Sequence, residues 1–268
     1  MSMIDSDAVM ERVFSRRAFI PFITVGDPDI KTSERLVRAM AAAGADLIEL
    51  GIPFSDPISE GPVIQNADVR ALASGTTTDD VFDMAERIRR DLDIPLLVMT
   101  YFNPVYVYGC ERFLARCEAA GICALIVCDL PYEEKGDVQD SCSRHGVKLI
   151  SMIAPTSEDR ISMIASDAEG FVYIVSSMGV TGTRTRFSSD IEGMVESVRR
   201  STRISCAIGF GISGPEQARR MTDMADGAIV GSAIVEIVER YGRDSVPHVE
   251  EFVRGVRAEL DRARGPPL

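Results

Sequence analysis

The chain has few of the residues on which metal and redox sites depend. Only two of its 268 residues are histidines, His145 and His248, and neither has a second ligand at a spacing typical of zinc. The six cysteines form no C-x-x-C pair and lie in or beside predicted strands and helices. We therefore expect no metal site, and cysteines that are reduced and serve as small apolar side chains.

Basic charge and long apolar runs are scarce as well. The net charge of -12 argues against a basic face that would neutralise nucleic-acid phosphates. No apolar run approaches the roughly 20 residues of a membrane span. The first residues, MSMIDSDAVMERVF, carry early acids and lack the apolar segment of a signal peptide. These absences predict no nucleic-acid partner, no membrane partner and a cytoplasmic location.

What the sequence does contain is a regular alternation of short apolar runs with longer amphipathic ones. The short runs are nearly continuously apolar, which is typical of parallel strands buried on both faces. The predicted strands are Phe19–Val25, Asp46–Gly51, Pro95–Phe102, Ala124–Leu130, Lys148–Ala154, Gly170–Ser176, Ile204–Gly209 and Gly227–Val230. The predicted helices between them are Ser33–Ala43, Asp79–Asp91, Cys110–Ala120, Glu133–His145, Ser157–Ala165, Ser188–Arg200, Pro215–Met224 and Ala233–Tyr241.

This alternation runs through the chain without a linker, and it predicts a fold of the α/β class. We expect a single (β/α)8 TIM barrel domain over residues 1–268, with an open doubly wound sheet as the alternative. An extra N-terminal helix at Asp7–Arg17 would close the bottom of the barrel. An extra C-terminal helix is predicted from His248 to about Arg264.

Glycines are concentrated after the last three predicted strands. Residues 209–214, GFGISG, fit the G-x-G-x-x-G pattern, but the next strand ends in IVGS without the acid that a dinucleotide site needs. We therefore exclude a nicotinamide cofactor. At the mouth of a barrel the same turns, with residues 179–182, would direct backbone N–H groups at a phosphate dianion. The alternative is that these glycines only permit tight turns.

A glutamate stands near the end of the second apolar strand. Leu47 and Glu49 have the same parity, so both side chains are expected to point into the barrel, where apolar neighbours would raise the pKa of Glu49. Such a carboxyl can act as a general acid and then as a base, whereas the alternative is a buried glutamate held by backbone donors. The loop that follows carries Asp56 and Glu60, and its three prolines should exclude regular helix over most of its length.

A segment with few apolar residues follows the sixth predicted strand. It is Ser177–Phe187, SMGVTGTRTRF. We expect this segment to act as a lid that orders over a bound ligand, with plain solvated arginines as the alternative reading.

Eight motifs together carry a resemblance to a known family, and it extends from about residue 7 to residue 262. The motifs are FIPFITVGDPD (19–29), ELGIPFSDPISEGPVIQNA (49–67), MTYFNPVYVYG (99–109), DLPYEE (129–134), APTS (154–157), YIVSSMGVTGTR (173–184), GFGIS (209–213) and VGSAIV (230–235). In these motifs the chain resembles the α subunits of tryptophan synthase. The resemblance implies a barrel that cleaves indole-3-glycerol phosphate, a phosphate-bearing small molecule, to indole and glyceraldehyde 3-phosphate.

Residue roles follow from the resemblance position by position. Glu49 matches the family's acid/base glutamate, and Glu60 stands where the family usually has a second acid, an aspartate. The extra methylene would shift this carboxylate by roughly 1 Å. Thr181 would orient the acid at position 60. The implied substrate-binding residues are Phe22, Tyr101, Asp129, Tyr173, Thr181, Gly182, Phe210, Gly211, Gly231 and Ser232. The implied contacts with a partner lie in the Pro53–Pro57 segment, at Pro53, Asp56 and Pro57.

The resemblance also implies a partner and a cofactor located elsewhere. The partner would be a tryptophan synthase β subunit in an α2β2 tetramer, and pyridoxal phosphate would be bound by that subunit and not by this chain. Two other functions stay open. One is a catalytically weakened barrel that acts as an allosteric partner, suggested by Glu60. The other is a different phosphate-binding barrel, such as a related indole-pathway synthase or isomerase, although these usually use a lysine that the predicted strand ends lack.

Overall fold

A computed structural model describes residues 5–175, 184–209 and 211–262 of the chain. Each of the eight predicted strands is found, and the one predicted over Lys148–Ala154 is divided at Ile150 into two short strands. The strands are β1 (Ala18–Thr24), β2 (Ile48–Gly51), β3 (Leu96–Thr100), β4 (Ile122–Val127), β5 (Lys148–Leu149), β6 (Ser151–Ile153), β7 (Val172–Val175), β8 (Cys206–Gly209) and β9 (Gly227–Val230).

All strand pairs are parallel, and their order is β5-β4-β3-β2-β1-β9-β8-β7-β6. The two outermost strands of this sheet, β5 and β6, are consecutive in the chain and separated only by Ile150. The sheet therefore curls back on itself into a nearly closed barrel. The TIM barrel prediction is confirmed, and the open doubly wound alternative is wrong.

The two faces of the strands pack into different apolar clusters. Leu47 and Leu97 belong to the cluster inside the barrel, whereas Ile48 and Leu50 pack outside it among the helices. The alternation follows the two-residue period of a strand, so the inward parity predicted for Leu47 is confirmed.

Twelve α-helices surround the barrel within the described residues. They are α1 (Ser6–Val13), α2 (Ile30–Ala42), α3 (Pro62–Ala73), α4 (Thr78–Arg89), α5 (Phe102–Tyr108), α6 (Cys110–Ala120), α7 (Gly136–Arg144), α8 (Ile161–Ser166), α9 (Arg184–Ser201), α10 (Pro215–Met224), α11 (Ser232–Tyr241) and α12 (Val246–Arg262). Short 3-10 turns lie at Tyr132–Glu134, Pro155–Arg160 and Gly242–Asp244.

Two of these helices, α3 and α5, were not expected from the sequence. The prediction that prolines exclude regular helix over most of the segment after β2 is confirmed for residues 52–61, but Pro62 begins a helix that was not expected. Pro62 is the first residue of α3, a position where the missing N–H costs no hydrogen bond because the first turn has no intrahelical acceptor. This correction matters because α3 brings a further carboxyl to the barrel mouth.

The terminal helices hold the bottom of the barrel. Met10 and Val13 of α1 pack into the inner cluster, and the Phe14 ring lies 5.4 Å from that of Phe171, so the bottom closure predicted for this helix is confirmed. Arg257 of α12 forms a buried ion pair with Asp46 at 2.9 Å. Across the described residues, the helices are too short or too polar to cross a membrane.

Candidate active site

A cavity opens at the carboxyl ends of the barrel strands, where barrel enzymes place their active sites. Its wall contains both predicted catalytic acids and five of the predicted substrate-binding residues. The cavity is lined by Phe22, Glu49, Ser59, Glu60, Gly61, Ile64, Met99, Cys128, Met152, Tyr173, Gly211, Ile212, Ile229, Gly231 and Ser232. No lysine, arginine or histidine is among these lining residues, so the only charged side chains in the described wall are the two acids.

Glu49 lies on β2 with Phe22 of β1 on one side and Leu97 of β3 on the other. Its side chain is 1% exposed, and neither carboxyl oxygen has a hydrogen-bond partner within the described part of the chain. Burial raises the pKa of Glu49 to about 8. The group is therefore largely protonated at neutral pH and can give its proton to a ligand in the cavity. The alternative that backbone donors hold this carboxyl does not fit its free oxygens.

Glu60 reaches the same cavity from the loop between β2 and α3. Tyr101 supports this loop, because its hydroxyl accepts a hydrogen bond from the Ser59 N–H at 3.0 Å and its ring lies 5.3 Å from that of Phe54. The Gln65 side chain donates to the Glu60 carbonyl at 2.8 Å. The pKa of Glu60 is raised mainly by burial, and the negative charges of Asp68 and Glu49 raise it further.

A third acid, Asp68, lies beside Glu60 and was missed in the sequence. It is 4% exposed and belongs to the buried face of α3, which it shares with Ile64, Ala67 and Ala71. The sequence signal was available, because an aspartate at helical spacing from three apolar residues occupies a position that normally holds another apolar residue. Burial raises the pKa of Asp68.

The opposite end of the cavity is built from glycines and a helix start. Gly211 has a φ of 72°, which favours glycine, and Gly231 immediately precedes α11, which begins at Ser232. A Cβ atom on Gly231 would lie 3.3 Å from Cδ1 of Phe22, so the absence of a side chain keeps this wall open. Backbone N–H groups at the first turn of a helix lack intrahelical partners and attract anions.

Two aromatic residues form the wall between these ends, and glycines make room for both. A Cβ atom on Gly51 would lie 2.6 Å from Cζ of Phe22, and one on Gly209 would lie 2.2 Å from the hydroxyl oxygen of Tyr173. Tyr173 is buried, which raises its pKa, so its hydroxyl stays protonated. The cavity thus combines two acids, two aromatic side chains and a glycine-lined part of the wall.

Other predicted site residues lie elsewhere. Tyr101 accepts a hydrogen bond from the N–H of Ser59, which lines the cavity. Asp129 is exposed and accepts a hydrogen bond from the Phe102 N–H at 2.7 Å. Neither lines this cavity, and their contact with substrate stays a prediction. Thr181, Gly182 and Phe210 lie outside the described residues, as does the predicted lid up to residue 183; α9 begins at Arg184.

The predicted partner-contact segment lies on the outer side of the mouth. Pro53 is buried, Pro57 is partly buried and Asp56 is exposed. Three apolar side chains nearby are also open to solvent. They are Ile58, Tyr106 and Val107, with 79%, 71% and 75% of their surface exposed. In the described residues, no three or more histidine, cysteine or acidic side chains are grouped so that they could hold a metal ion.

The family is decided by comparison with known proteins. Residues 10–263 match the family model described as "Tryptophan synthase alpha chain". The chain belongs to this family. A tryptophan synthase alpha chain from Lacticaseibacillus casei is 43% identical over 247 residues, which cover 92% of this chain and 93% of the relative. The relative from Caldanaerobacter subterraneus is 46% identical, with 91% and 94% covered.

Solved structures agree with this assignment. Tryptophan synthase subunit alpha from Legionella pneumophila has a TM-score of 0.88 and 33% identity, and the match covers 97% of this chain and 100% of that one. A chain from the tryptophan synthase complex of Pyrococcus furiosus has a TM-score of 0.81 and 31% identity, with 90% and 98% covered.

Proposed function

We propose that this chain performs the α reaction of tryptophan synthase, the retro-aldol cleavage of indole-3-glycerol phosphate to indole and glyceraldehyde 3-phosphate. It is a carbon–carbon lyase of tryptophan biosynthesis, an aromatic amino-acid pathway. The observation that carries the proposal is Glu49, a buried carboxyl that receives no hydrogen bond from any described residue and lines a cavity that also has glycines in its wall.

Glu49 acts first as an acid. It gives its proton to C3 of the indole ring, which becomes an indolenine able to take up an electron pair. Glu49, now a carboxylate, then helps to remove the proton of the adjacent side-chain hydroxyl. The bond between C3 and that carbon breaks, its electron pair returns to the ring, and indole and the aldehyde form. The raised pKa of Glu49 suits both steps because the group is neutral before the first and basic after it.

Glu60 acts on the other side of the ring. Positive charge develops at the indole nitrogen when C3 is protonated, and a carboxylate that accepts the N–H hydrogen bond stabilises it. The substrate phosphate would bind across the cavity at Gly211, Gly231 and Ser232 through backbone N–H groups and the serine hydroxyl. In this orientation the phosphate dianion lies away from the two carboxyl groups. Phe22 and Tyr173 would hold the ring between these ends.

The partner is a tryptophan synthase β subunit. A Pyrococcus furiosus relative is described in an a2b2 complex with mutual activation. The docking face would include the segment Pro53–Pro57 and the exposed side chains of Ile58, Tyr106 and Val107. Tyr101 links the two parts, because its hydroxyl accepts a hydrogen bond from the Ser59 N–H and α5 begins at the next residue. Residues 1–268 act as one barrel domain without a cofactor, and pyridoxal phosphate belongs to the β subunit in the cytoplasmic tetramer.

The test is a product assay on the full chain, with and without a β subunit. Indole and glyceraldehyde 3-phosphate should appear in equal amounts from indole-3-glycerol phosphate, faster with the partner, and tryptophan should form when serine is added. Absence of both products would overturn the proposal. Stimulation of the β subunit without any indole would instead favour the weakened allosteric barrel, which no described feature of the cavity favours at present.

A further inference from the structure

Three buried or half-buried carboxyls meet at the mouth of this barrel, although the α reaction as described uses two. Glu49 comes from β2, Glu60 from the following loop and Asp68 from α3. Asp68 is on the buried face of its helix, so it is held at this place by the packing of Ile64, Ala67 and Ala71. A carboxyl in such a position is costly unless it is neutralised or shares a proton.

Among the side chains that the structure describes, no arginine, lysine or histidine forms an ion pair with this third carboxyl. The arginine nearest in the sequence, Arg70, binds Asp27 with two hydrogen bonds of 2.8 Å and Glu239 with one of 2.9 Å. Asp27 itself adds negative charge near Asp68. Within the described ranges, five titratable groups surround the pair of Glu60 and Asp68. They are Asp27 after β1, Glu49 on β2, Tyr101 after β3, Cys128 after β4 and Tyr173 on β7.

Ile64 precedes Asp68 by one turn on the same buried face of α3 and lines the cavity together with Glu60. The Glu60 and Asp68 carboxyls lie close enough for the protonated one to donate a hydrogen bond to the ionised one. The two carboxyls of the pair have different surroundings. The Phe54 N–H and the Thr24 hydroxyl near Asp68 both act to lower the pKa of its carboxyl. Glu60 has a buried Oε2 that receives no hydrogen bond from any described donor. The proton of the pair therefore rests on Glu60 when the cavity is empty.

We propose that Glu60 and Asp68 act as one singly protonated carboxyl pair, in which Asp68 is a positioning residue that orients Glu60 and takes over its proton when the indole N–H arrives. In this step the O–H bond of Glu60 breaks and an O–H bond forms on Asp68. Glu60 is then a carboxylate that accepts the N–H hydrogen bond. The pair carries one negative charge before and after, so no further charge is buried. This catalytic use rests on the proposed function.

The pair explains how a longer side chain serves at position 60. A glutamate has one more rotatable bond than an aspartate, and a loose carboxylate would lose the alignment that catalysis needs. Asp68 is anchored on α3, so the shared proton holds the Glu60 side chain at this helix and keeps it from turning towards solvent. Asp68 therefore makes up for the freedom that the extra methylene introduces.

The test is a titration of the full chain labelled with 13C at the glutamate δ-carbons, with Glu60 assigned from the Glu60→Gln spectrum. In Asp68→Asn the Glu60 midpoint should fall by about one pH unit or more, because the neighbouring negative charge is gone. In Glu239→Gln, which removes a charge from the far side of Arg70, it should not move. An unchanged Glu60 midpoint in a folded Asp68→Asn chain would overturn the pair.

Indole formation with the β subunit gives the second readout. Asp68→Ala should lower kcat about tenfold because Glu60 loses its anchor, and Asp68→Asn should restore most of it because its amide donates to the Glu60 carboxylate. Equal loss in both variants would contradict the positioning role. A wild-type chain that forms no indole would overturn the proposed function, whereas an active enzyme with an unmoved Glu60 midpoint would overturn the pair alone.

Discussion

Glu49 lies directly opposite Phe22 in the register of β1 and β2, and both side chains line the same cavity. The pairing places an uncharged carboxyl against an aromatic ring at the point where an apolar substrate ring would bind. It also means that Glu49 is kept out of water by the fold itself, since the residue is 1% exposed before any ligand arrives. The fold therefore maintains an unfavourable environment for the charged form, which has consequences for stability as well as for catalysis.

The first prediction concerns the pH dependence of stability. The pKa of Glu49 rises from an ordinary value of 4.5 to about 8 on folding. Below the unfolded pKa the group is protonated in both states and costs nothing. As the pH rises from 4.5 towards 8 the unfolded chain releases the proton and the folded chain keeps it, so stability is lost over this window and levels off above it.

Glu49→Gln should remove this loss. Its advantage in free energy of unfolding over the wild type should grow with pH by about 1.4 kcal/mol per unit across the window and then stay constant. Urea titrations of both proteins at a series of pH values measure it, with the exposed Glu196→Gln as control. A difference that is flat with pH would contradict the raised pKa.

The second prediction concerns the phosphate end of the cavity. Ser232→Ala should raise KM for indole-3-glycerol phosphate about tenfold, because a hydrogen bond to a charged group is lost, with kcat changed little. Ser213→Ala is the matched control, since its hydroxyl donates to Gln217 at 2.8 Å and is not part of the cavity wall. Steady-state kinetics of both variants decide the point. If KM responds equally in the two, or not at all, the phosphate lies elsewhere.

The third prediction concerns the bottom of the barrel. Arg257 is the buried partner of Asp46, and it also donates to the Arg17 carbonyl at 3.0 Å. Arg257→Met should reduce the free energy of unfolding by about 2 kcal/mol, because Asp46 loses its buried arginine partner and keeps only Arg16, at 2.6 Å. Arg254→Met, which removes an exposed pair with Glu250 on the same helix, should cost less than about 1 kcal/mol. Similar losses in the two variants would show that the buried pair has no special role.

The strands and the inward direction of Glu49 could be predicted because both follow from short-range patterns. Nearly continuous apolar runs mark buried parallel strands, and Leu47 gives the parity of Glu49. The helix at Pro62 was missed because a proline was taken as a helix breaker where it starts one. Asp68 was missed with it. That Glu60 and Asp68 face each other depends on how the loop and α3 fold over the barrel mouth, which no local pattern encodes.

The account depends most on Glu49 as the group that moves the proton. The most direct measurement is kcat for indole formation from indole-3-glycerol phosphate, with the β subunit present, in the wild type, Glu49→Gln and Glu196→Gln. We predict that Glu49→Gln loses a factor of about 1,000 or more while Glu196→Gln keeps wild-type activity. A Glu49→Gln enzyme that forms indole within about tenfold of the wild-type rate would contradict the account.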